Sequence, residues 1–352
     1  MPLKRLALQD FRNIESASLD LDAGLNWFFG VNGAGKTSVL EGVHVLARGR
    51  SFRSAAISPL IRQGAEALRV FVERTDPDHR LGVERESRSW RGRLDGRDVQ
   101  RVSAFARILP LTVFEPATHM LVEGGPDLRR SFADWALFHV EHDYLDRWSR
   151  YARLLRQRNA GLKTGTDAAT LEAIESSMAS AAADLDQARG RWVETLSERV
   201  PSMQDELGVR LGRLRIAYRA SGGPSAEAHA AEWRAARVRD REAGFTRSGP
   251  HRAEITIEIE GRRAAPRLSR GQQKLTALLL KLAQMESMAK GGVPPILLLD
   301  DPVSELDAAH LEGLLRWLVA SDVQTLLTAV EAPKEVAAAM FHVEQGQVLP
   351  MV

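Results

Sequence analysis

A glycine-rich segment near the start of the chain carries the clearest chemistry in the sequence. Residues 30–37 read Gly-Val-Asn-Gly-Ala-Gly-Lys-Thr and match the pattern G-x-x-x-x-G-K-[ST]. Glycines let backbone N–H groups curl around phosphate oxygens, and the following helix adds the positive end of its dipole. Lys36 is expected to neutralise the β and γ phosphates of ATP, and the Thr37 hydroxyl to coordinate Mg²⁺. The predicted nucleotide ligands in this segment are Gly30, Asn32, Gly33, Ala34, Gly35, Lys36, Thr37 and Ser38.

Two adjacent carboxylates at the end of an apolar run supply the second set of reactive groups. Ile296–Leu299 reads as a buried parallel strand, and Asp300 and Asp301 follow it directly. Such an ending is common by itself and gains meaning from the phosphate loop. Successive side chains of a strand face opposite sides, so the two acids can take different roles. Asp300 is expected to hold Mg²⁺ through water, and Asp301 to orient or deprotonate the attacking water. The predicted catalytic residues are Lys36, Asp300 and Asp301, with Thr37 and Asp300 at the metal.

A serine-led helix start precedes this strand. Residues 268–274 read Leu-Ser-Arg-Gly-Gln-Gln-Lys, which resembles the signature sequence LSGGQ of ABC-type ATPases. Ser269 is a good N-cap, and an N-cap serine beside exposed N–H groups is suited to grip a phosphate. In ABC-type folds this motif faces the γ phosphate bound by the other subunit. The resemblance therefore implies nucleotide contacts from Ser269, Gly271 and Gln272 in a homodimer that forms on ATP binding. Ser304–Asp307, just after the two acids, resembles the D-loop of the dimer seam.

The elements around these motifs indicate how the chain positions them. Asn26–Phe29 reads as a strand that runs into the glycine-rich turn, followed by a helix from about Lys36 to Ala47. A long series of helical patterns begins at Pro126, and strand patterns return at Ala253–Glu260. The predicted fold class is α/β, an ABC-type P-loop ATPase domain built from both chain ends. We assign residues 1–115 and 245–352 to this domain, and residues 116–244 to an inserted, mainly α-helical lobe.

Composition narrows the class of protein. The chain has 352 residues, of which 44% are hydrophobic and 27% charged, so a large core can be buried. It contains no cysteine, which excludes disulfides and thiolate metal sites. No stretch approaches the roughly 20 apolar residues of a membrane span. We therefore expect a cytoplasmic protein with no membrane partner.

Several further segments resemble the RecF family, and together they extend over nearly the whole chain. The resemblance implies an ATP-dependent DNA-binding dimer that recognises duplex next to single-stranded gaps and works with RecR, and indirectly RecO, to help load RecA. Asn13, in the first of these segments, joins the expected nucleotide ligands. The segments are Phe11–Ile14, Gly49–Arg53, Gly124–Arg130, Gln157–Asn159, Gly249–Arg252 and Ser269–Lys274.

Two rival classes share the ATPase motifs. A transporter ATPase usually carries a glutamate at the position of Asp301 and a histidine at the position of Ala329, and it lacks a large helical insertion. An SMC or Rad50-type chromosome-organising ATPase needs a long coiled coil, which this insertion is too short to supply. Because aspartate is one methylene shorter than glutamate, we expect slow hydrolysis that depends on closure of the site. Glu115 lies about where related ATPases place the Q-loop glutamine, and we assign it no ligand role.

An arginine-rich helix in the insertion is the candidate DNA surface. Arg147, Arg150, Arg153, Arg156 and Arg158 occur with no acid among them. At 100° per residue Trp148, Tyr151 and Leu155 share one face, and the arginines spread over the opposite one. A solvated helix face is the alternative. We expect phosphate contacts from Arg150, Arg153 and Arg156, with Arg129 and Arg130 extending the patch. The arginines of residues 85–101 are diluted by acids, so a solvated hairpin is predicted there.

Overall fold

The computed structural model describes residues 2–54, 56–75, 78–292, 294–333 and 336–351. Its strands are β1 (Leu3–Phe11), β2 (Ile14–Asp20), β3 (Leu25–Phe29), β4 (Leu68–Arg74), β5 (His79–Arg85), β6 (Trp90–Leu94), β7 (Arg97–Val99), β8 (Leu111–Phe114), β9 (Leu214–Arg219), β10 (Glu254–Ile259), β11 (Arg262–Arg263), β12 (Ile296–Leu299), β13 (Thr325–Ala329), β14 (Ala339–Glu344) and β15 (Gln347–Met351).

Ten α-helices and three short 3₁₀ turns accompany these strands in the described part of the chain. The helices are α1 (Lys36–Arg48), α2 (Ser103–Ile108), α3 (Met120–Glu123), α4 (Pro126–Val140), α5 (Tyr144–Thr164), α6 (Ala168–Glu206), α7 (Ala226–Ala243), α8 (Arg270–Ala289), α9 (Pro302–Glu305) and α10 (Ala308–Ala320). Within the described ranges, none of the helices is both long and apolar enough to cross a membrane.

The chain folds into two compact units. Unit 1 comprises Met1–Thr118, Gln204–Arg210 and Ala277–Val352, and unit 2 comprises His119–Met203 and Leu211–Thr276. The predicted α/β fold class is confirmed, and both chain ends contribute to unit 1. The predicted return to the ATPase domain at residue 245 differs from the structure, because residues 245–276 belong to unit 2. The cause is strand pairing: β10 pairs with β9 inside the insertion, so the chain stays in unit 2 until α8 has begun.

Two sheets enclose helix α1 in unit 1. The core sheet has the order β15-β14-β3-β13-β12-β8 and is parallel except for the β14–β15 hairpin. The second sheet is antiparallel, with the order β2-β1-β4-β5-β6-β7. Helix α1 is buried along nearly its whole length and contacts β1, β4 and β13. Its buried residues are mostly apolar but include the polar side chains of Glu41 and His44. The phosphate loop therefore leads into a helix that lies in the core of the unit.

Unit 2 combines helices with a small antiparallel sheet of order β11-β10-β9. A buried ionic network lies inside it. The Arg158 guanidinium is fully buried and donates to the carboxylates of Glu175 and Asp240 at 3.0 and 2.7 Å. It also donates to the Thr246 hydroxyl at 2.8 Å and to the Trp233 carbonyl at 3.1 Å. Buried charges need such partners, so this network fixes α5 against α6 and α7.

Candidate nucleotide site

The glycines of the phosphate loop stand where the backbone needs them. The loop connects β3 to α1, and Gly30, Gly33 and Gly35 have φ angles of 150°, 81° and 119°. Residues with a Cβ avoid this region. A Cβ on Gly30 would lie 2.1 Å from the Val343 carbonyl oxygen of β14. The sequence pattern thus corresponds to a loop that packs tightly on one side and opens on the other.

Asn13, in the turn between β1 and β2, braces the loop from outside. Its Nδ2 donates to the Ala34 carbonyl at 2.9 Å, and its Oδ1 accepts from the Ser38 hydroxyl at 3.4 Å. The Gly346 N–H donates to the same Ala34 carbonyl at 2.8 Å. Asn13 also lines the cavity described below. Its amide therefore holds the loop in shape, and the direct nucleotide contact expected of Asn13 stays a prediction.

Lys36 points its amine back into the loop. Nζ donates to the carbonyls of Gly30 at 2.7 Å and Val31 at 3.0 Å, and the side chain is almost fully buried. Burial lowers the pKa of Lys36, while the nearby Asp301 and Asp300 carboxylates act to raise it. A buried cation bound only to neutral carbonyls in its immediate shell is well placed to gain from a phosphate anion.

The Asp300 carboxylate, just after β12, accepts hydrogen bonds from the start of α1 and from β13. Its Oδ1 accepts from the Thr37 hydroxyl at 2.7 Å and from the Thr328 hydroxyl of β13 at 3.0 Å. Burial raises the pKa of Asp300, and these hydrogen bonds act to lower it. The two residues predicted for the metal, Thr37 and Asp300, are therefore in contact. Hydroxyl and carboxylate oxygens are the ligands that Mg²⁺ prefers.

Asp301 differs from its neighbour in both conformation and contacts. Its φ is 52°, in the left-handed region, and its backbone N–H donates to the Thr328 hydroxyl at 2.9 Å. Among the described residues, Oδ1 of Asp301 is buried and has no hydrogen-bond partner. A strained conformation and an unsatisfied carboxylate oxygen are both costly, and such features concentrate at functional sites. The two acids therefore differ in their contacts, although Asp301 lies beyond the end of β12, and their separate roles stay a prediction.

These groups surround one cavity of about 760 Å³ in unit 1. The sequence singled out many of its lining residues but gave no role to Arg12, Phe52, Arg53, Glu115 or Thr328. The segments Phe11–Ile14 and Gly49–Arg53 contained the signal for three of them. The lining residues are Arg12, Asn13, Asn32, Gly33, Gly35, Lys36, Thr37, Ser38, Phe52, Arg53, Glu115, Pro116, Ala117, Asp300, Asp301 and Thr328.

A buried glutamate on α1 organises the two arginines of the cavity. The carboxylate of Glu41 is fully buried, and Arg12 Nη2 donates to it at 2.7 Å. The Ser51 hydroxyl donates to the same carboxylate and accepts from the Arg53 backbone N–H at 2.8 Å. Glu41 therefore positions Arg12 through its side chain and Arg53 through its backbone. No periodicity argument would have separated Glu41 from a surface residue of α1.

Glu115 contributes a third carboxylate to the cavity. Burial, and to a smaller extent the charge of Asp300, raises the pKa of Glu115 to about 7. Its backbone N–H donates to the Thr118 hydroxyl at 2.8 Å, which fixes the turn after β8. We assigned Glu115 no ligand role from the sequence, and its side chain nevertheless lines the cavity.

The cavity fits a nucleoside triphosphate with Mg²⁺. The loop presents the backbone N–H groups that bind phosphates. A Cβ built on Gly33 would meet no described atom within 4 Å, so this side of the loop is open to a ligand. Lys36 supplies a buried positive charge, and Thr37 and Asp300 supply hard oxygen ligands. Among the described residues, Oδ1 of Asp301 has no hydrogen-bond partner and can accept a proton or a hydrogen bond. When bound, Mg²⁺ would neutralise charge on the phosphates.

The signature-like segment has a complete capping arrangement in unit 2. The Ser269 hydroxyl accepts from the Gln272 N–H at 3.3 Å, and the Gln272 side chain accepts from the Ser269 N–H at 3.0 Å. This reciprocal pair is a capping box. Ser269, Arg270, Gly271 and Gln272 are all exposed. The start of α8 is therefore rigid and open to a ligand or another subunit.

The candidate DNA residues separate into an exposed and a buried set. Arg150, Arg153 and Arg156 are exposed on α5. Arg158, which the sequence placed among them, is fully buried in the ionic network because its helix face packs on α7. Arg147 pairs with Asp143 at 2.7 Å. Trp148, expected to pack inward, is 43% exposed.

The predicted extension of this patch onto α4 also differs from the structure. The Arg129 side chain is buried, with the guanidinium donating to Glu254 at 3.0 Å and to the Gly124 carbonyl at 2.7 Å. Arg130 donates to the Ala253 carbonyl at 2.7 Å and is partly exposed. Arg129 therefore ties α4 to β10, and we remove it from the candidate DNA surface.

Comparisons with known proteins agree with these observations. The family profile described as "RecF/RecN/SMC N terminal domain" matches residues 2–347. The DNA replication and repair protein RecF of Stenotrophomonas maltophilia (strain R551-3) is 41% identical to the chain, with 99% of each sequence covered. The chain belongs to the RecF family. This membership confirms the predicted resemblance and decides against a transporter ATPase.

Solved structures show the same fold. A structure described as the recombination mediator protein RecF-ATP in the RecFOR pathway has a TM-score of 0.89, with 24% identity, 99% of this chain covered and 97% of that one. A structure described as the SmcHead bound to the C-winged helix domain of ScpA has a TM-score of 0.61 and 15% identity, with 100% of this chain and 97% of that one covered. The fold of this chain thus matches the RecF structure closely and the SMC head less closely.

Proposed function

We propose that the chain is an ATP-dependent DNA-binding protein of recombinational repair, in which ATP binding drives dimerisation on DNA and slow hydrolysis resets the clamp. One cavity carries this proposal: it combines the phosphate loop, the Thr37–Asp300 contact and the unpaired oxygen of Asp301. Membership of the RecF family supports the repair role. By the same resemblance, the protein acts in the cytoplasm on duplex next to single-stranded gaps and helps RecR and RecO load RecA.

The surroundings of the cavity support a dimer. Val31, Val303 and Val330 are exposed by 68%, 41% and 42%. Val31 lies in the phosphate loop, the Val330 carbonyl accepts from the Gly30 N–H of that loop, and Val303 lies in α9, two residues after Asp301. Exposed apolar side chains grouped around a polar cavity favour a surface that is covered by another chain. The open start of α8 with Ser269 is the complementary surface of the twin subunit.

The residues around the cavity define a hydrolytic mechanism. The Lys36 amine, which donates to the Gly30 and Val31 carbonyls, would turn to the phosphate oxygens of a bound nucleotide. Thr37 and Asp300 would hold Mg²⁺, which would neutralise charge on the phosphates. The unpaired Oδ1 of Asp301 is free to accept a proton from an attacking water. Because the Asp301 side chain is short and Ala329 offers no second base, the water is held well only after the dimer closes. Hydrolysis is therefore slow, and its output is a change in DNA affinity.

The exposed arginines of α5 are the first proposed DNA surface. Arg150, Arg153 and Arg156 follow one another at intervals of three residues, about 4.5 Å of helix rise each. Guanidinium groups pair well with phosphate oxygens. We expect contacts with the DNA backbone that do not depend on sequence and that weaken with salt.

A mixing experiment tests the shared site directly. Lys36→Met disables the phosphate loop and Ser269→Arg disables the twin's contact, so each variant alone should fail to dimerise with ATP and gapped DNA. In a mixed dimer, one of the two sites combines an intact Lys36 with an intact Ser269. Analytical ultracentrifugation with a non-hydrolysable ATP analogue should therefore show partial dimer only in the mixture. Recovery of dimer by either variant alone, or none in the mixture, would contradict the shared site.

A further inference from the structure

An arginine row crosses the small sheet of unit 2. Glu258 of β10 lies opposite Arg215 of β9 on one side and opposite Arg263 of β11 on the other. Residues directly opposite one another in antiparallel strands share a face of the sheet. Arg219 lies on the same face and donates to the Glu258 carboxylate at 3.0 Å. Three arginines therefore surround one glutamate.

The charges of this row do not cancel. Arg219 already forms an ion pair with the Glu258 carboxylate. In the described part of the chain, no ion pair within 4 Å involves Arg215 or Arg263. Both side chains are exposed. The other acids nearby are occupied: Glu254 pairs with Arg129, and Glu260 accepts the Arg213 backbone N–H at 2.7 Å. Two exposed arginines therefore flank one carboxylate that is already paired with a third, so this face of the sheet carries a net positive charge that favours an anion.

The backbone holds the row in place. Glu260 and Gly261 form the turn between β10 and β11, and both have positive φ angles, 49° and 72°. Two such residues make the tight hairpin that matches strand twist. Beyond β11, the buried Gln273 side chain donates to the carbonyls of Ala265 at 3.0 Å and Leu268 at 3.3 Å. The hairpin is therefore anchored to the first turn of α8, beside the signature serine.

We propose that Arg215, Arg219 and Arg263 form a second DNA surface that grips the phosphate backbone next to the signature segment. Arg215 and Arg263 stand two strand spacings apart, about 10 Å, a length over which one DNA strand presents about three phosphates. Arg262 and Arg267, both exposed, add positive charge beside the row. This inference rests on the proposed function, and it links DNA contact to the element that completes the nucleotide site.

The salt dependence of DNA binding tests the row. The double variant R215Q/R263Q removes two cations and leaves the Arg219–Glu258 pair intact. With a non-hydrolysable ATP analogue and gapped duplex, anisotropy titrations at several salt concentrations should show affinity lowered about tenfold. The slope of log affinity against log salt should fall by about 2, since each phosphate contact contributes about 0.9. R215K/R263K, which keeps the charge, should restore most of the slope.

Matched controls make the outcomes decisive. R88Q/R97Q removes two exposed arginines of unit 1, one in the loop between β5 and β6 and one in β7, and should keep the wild-type slope. Binding of fluorescent nucleotide and the melting temperature of R215Q/R263Q should equal those of the wild type. A wild-type slope in R215Q/R263Q, or an equal drop in the control, overturns the second surface, even if the variant binds a protein partner less well. Failure of the wild type itself to bind DNA would instead reject the proposed function.

Discussion

The Thr37 hydroxyl lies 2.7 Å from Oδ1 of Asp300, although 263 residues separate them in the chain. The contact joins the phosphate loop to the end of β12, and the Thr328 hydroxyl completes it from β13. Parallel strands that end at the same edge of the sheet bring these three side chains together. The proposed metal site is therefore assembled by the topology of the core sheet.

Asp300→Asn should separate metal binding from nucleotide binding. The amide keeps an oxygen for the two hydroxyls, so the fold should persist, but it loses the charge that holds Mg²⁺. Fluorescent ATP affinity with Mg²⁺ should fall by about 10–100-fold, the usual cost of losing a group that supports a metal through water. Affinity in EDTA should equal that of the wild type in EDTA. A variant that still gains affinity from Mg²⁺ would exclude Asp300 from the metal site.

Asp301→Asn should stop hydrolysis and leave nucleotide binding intact. Asparagine tolerates the left-handed conformation that Asp301 adopts, so little strain is added. Loss of a general base lowers turnover by about 10²–10⁴-fold. ATP should then support a long-lived dimer on DNA, measured by ultracentrifugation after incubation with hydrolysable ATP. The exposed Asp322→Asn is the control. Turnover within a few fold of the wild type would show that Asp301 is not the base.

The sequence predicted most of the candidate nucleotide site because its chemistry lies in short motifs. The phosphate loop and the Asp300–Asp301 pair each require fixed residue types at fixed spacing, and the structure brings both to one cavity. The row through Glu258 could not be predicted in this way, because it depends on which strands pair across the insertion. Arg156 and Arg158 show the same limit: they are two residues apart on one helix, and only packing decides that one is exposed and the other buried.

Glu115 should give the protein a stability that falls as pH rises. Its pKa is about 7 in the folded state against an ordinary 4.5, so between these values the folded state binds more protons than the unfolded state. The free energy of unfolding should therefore decrease from about pH 4.5 to pH 7, by on the order of 1–3 kcal/mol. Urea unfolding of Glu115→Gln should show a flatter profile. The exposed Glu86→Gln is the control, and an unchanged slope in Glu115→Gln would assign the effect elsewhere.

Arg158 and Arg156 should differ sharply when each is replaced by methionine. Arg158→Met leaves Asp240, which is only 1% exposed, without its cation, and removing one partner of a buried pair costs about 3–5 kcal/mol. Arg156→Met changes an exposed position on the same helix and should cost less than about 0.5 kcal/mol, while weakening DNA binding and its salt dependence. Urea unfolding and anisotropy titrations measure the two effects separately.

If Arg158→Met folded as stably as Arg156→Met, the buried network could not be what holds α5 in unit 2. If Arg156→Met left the salt slope unchanged, Arg156 would not contact the DNA backbone.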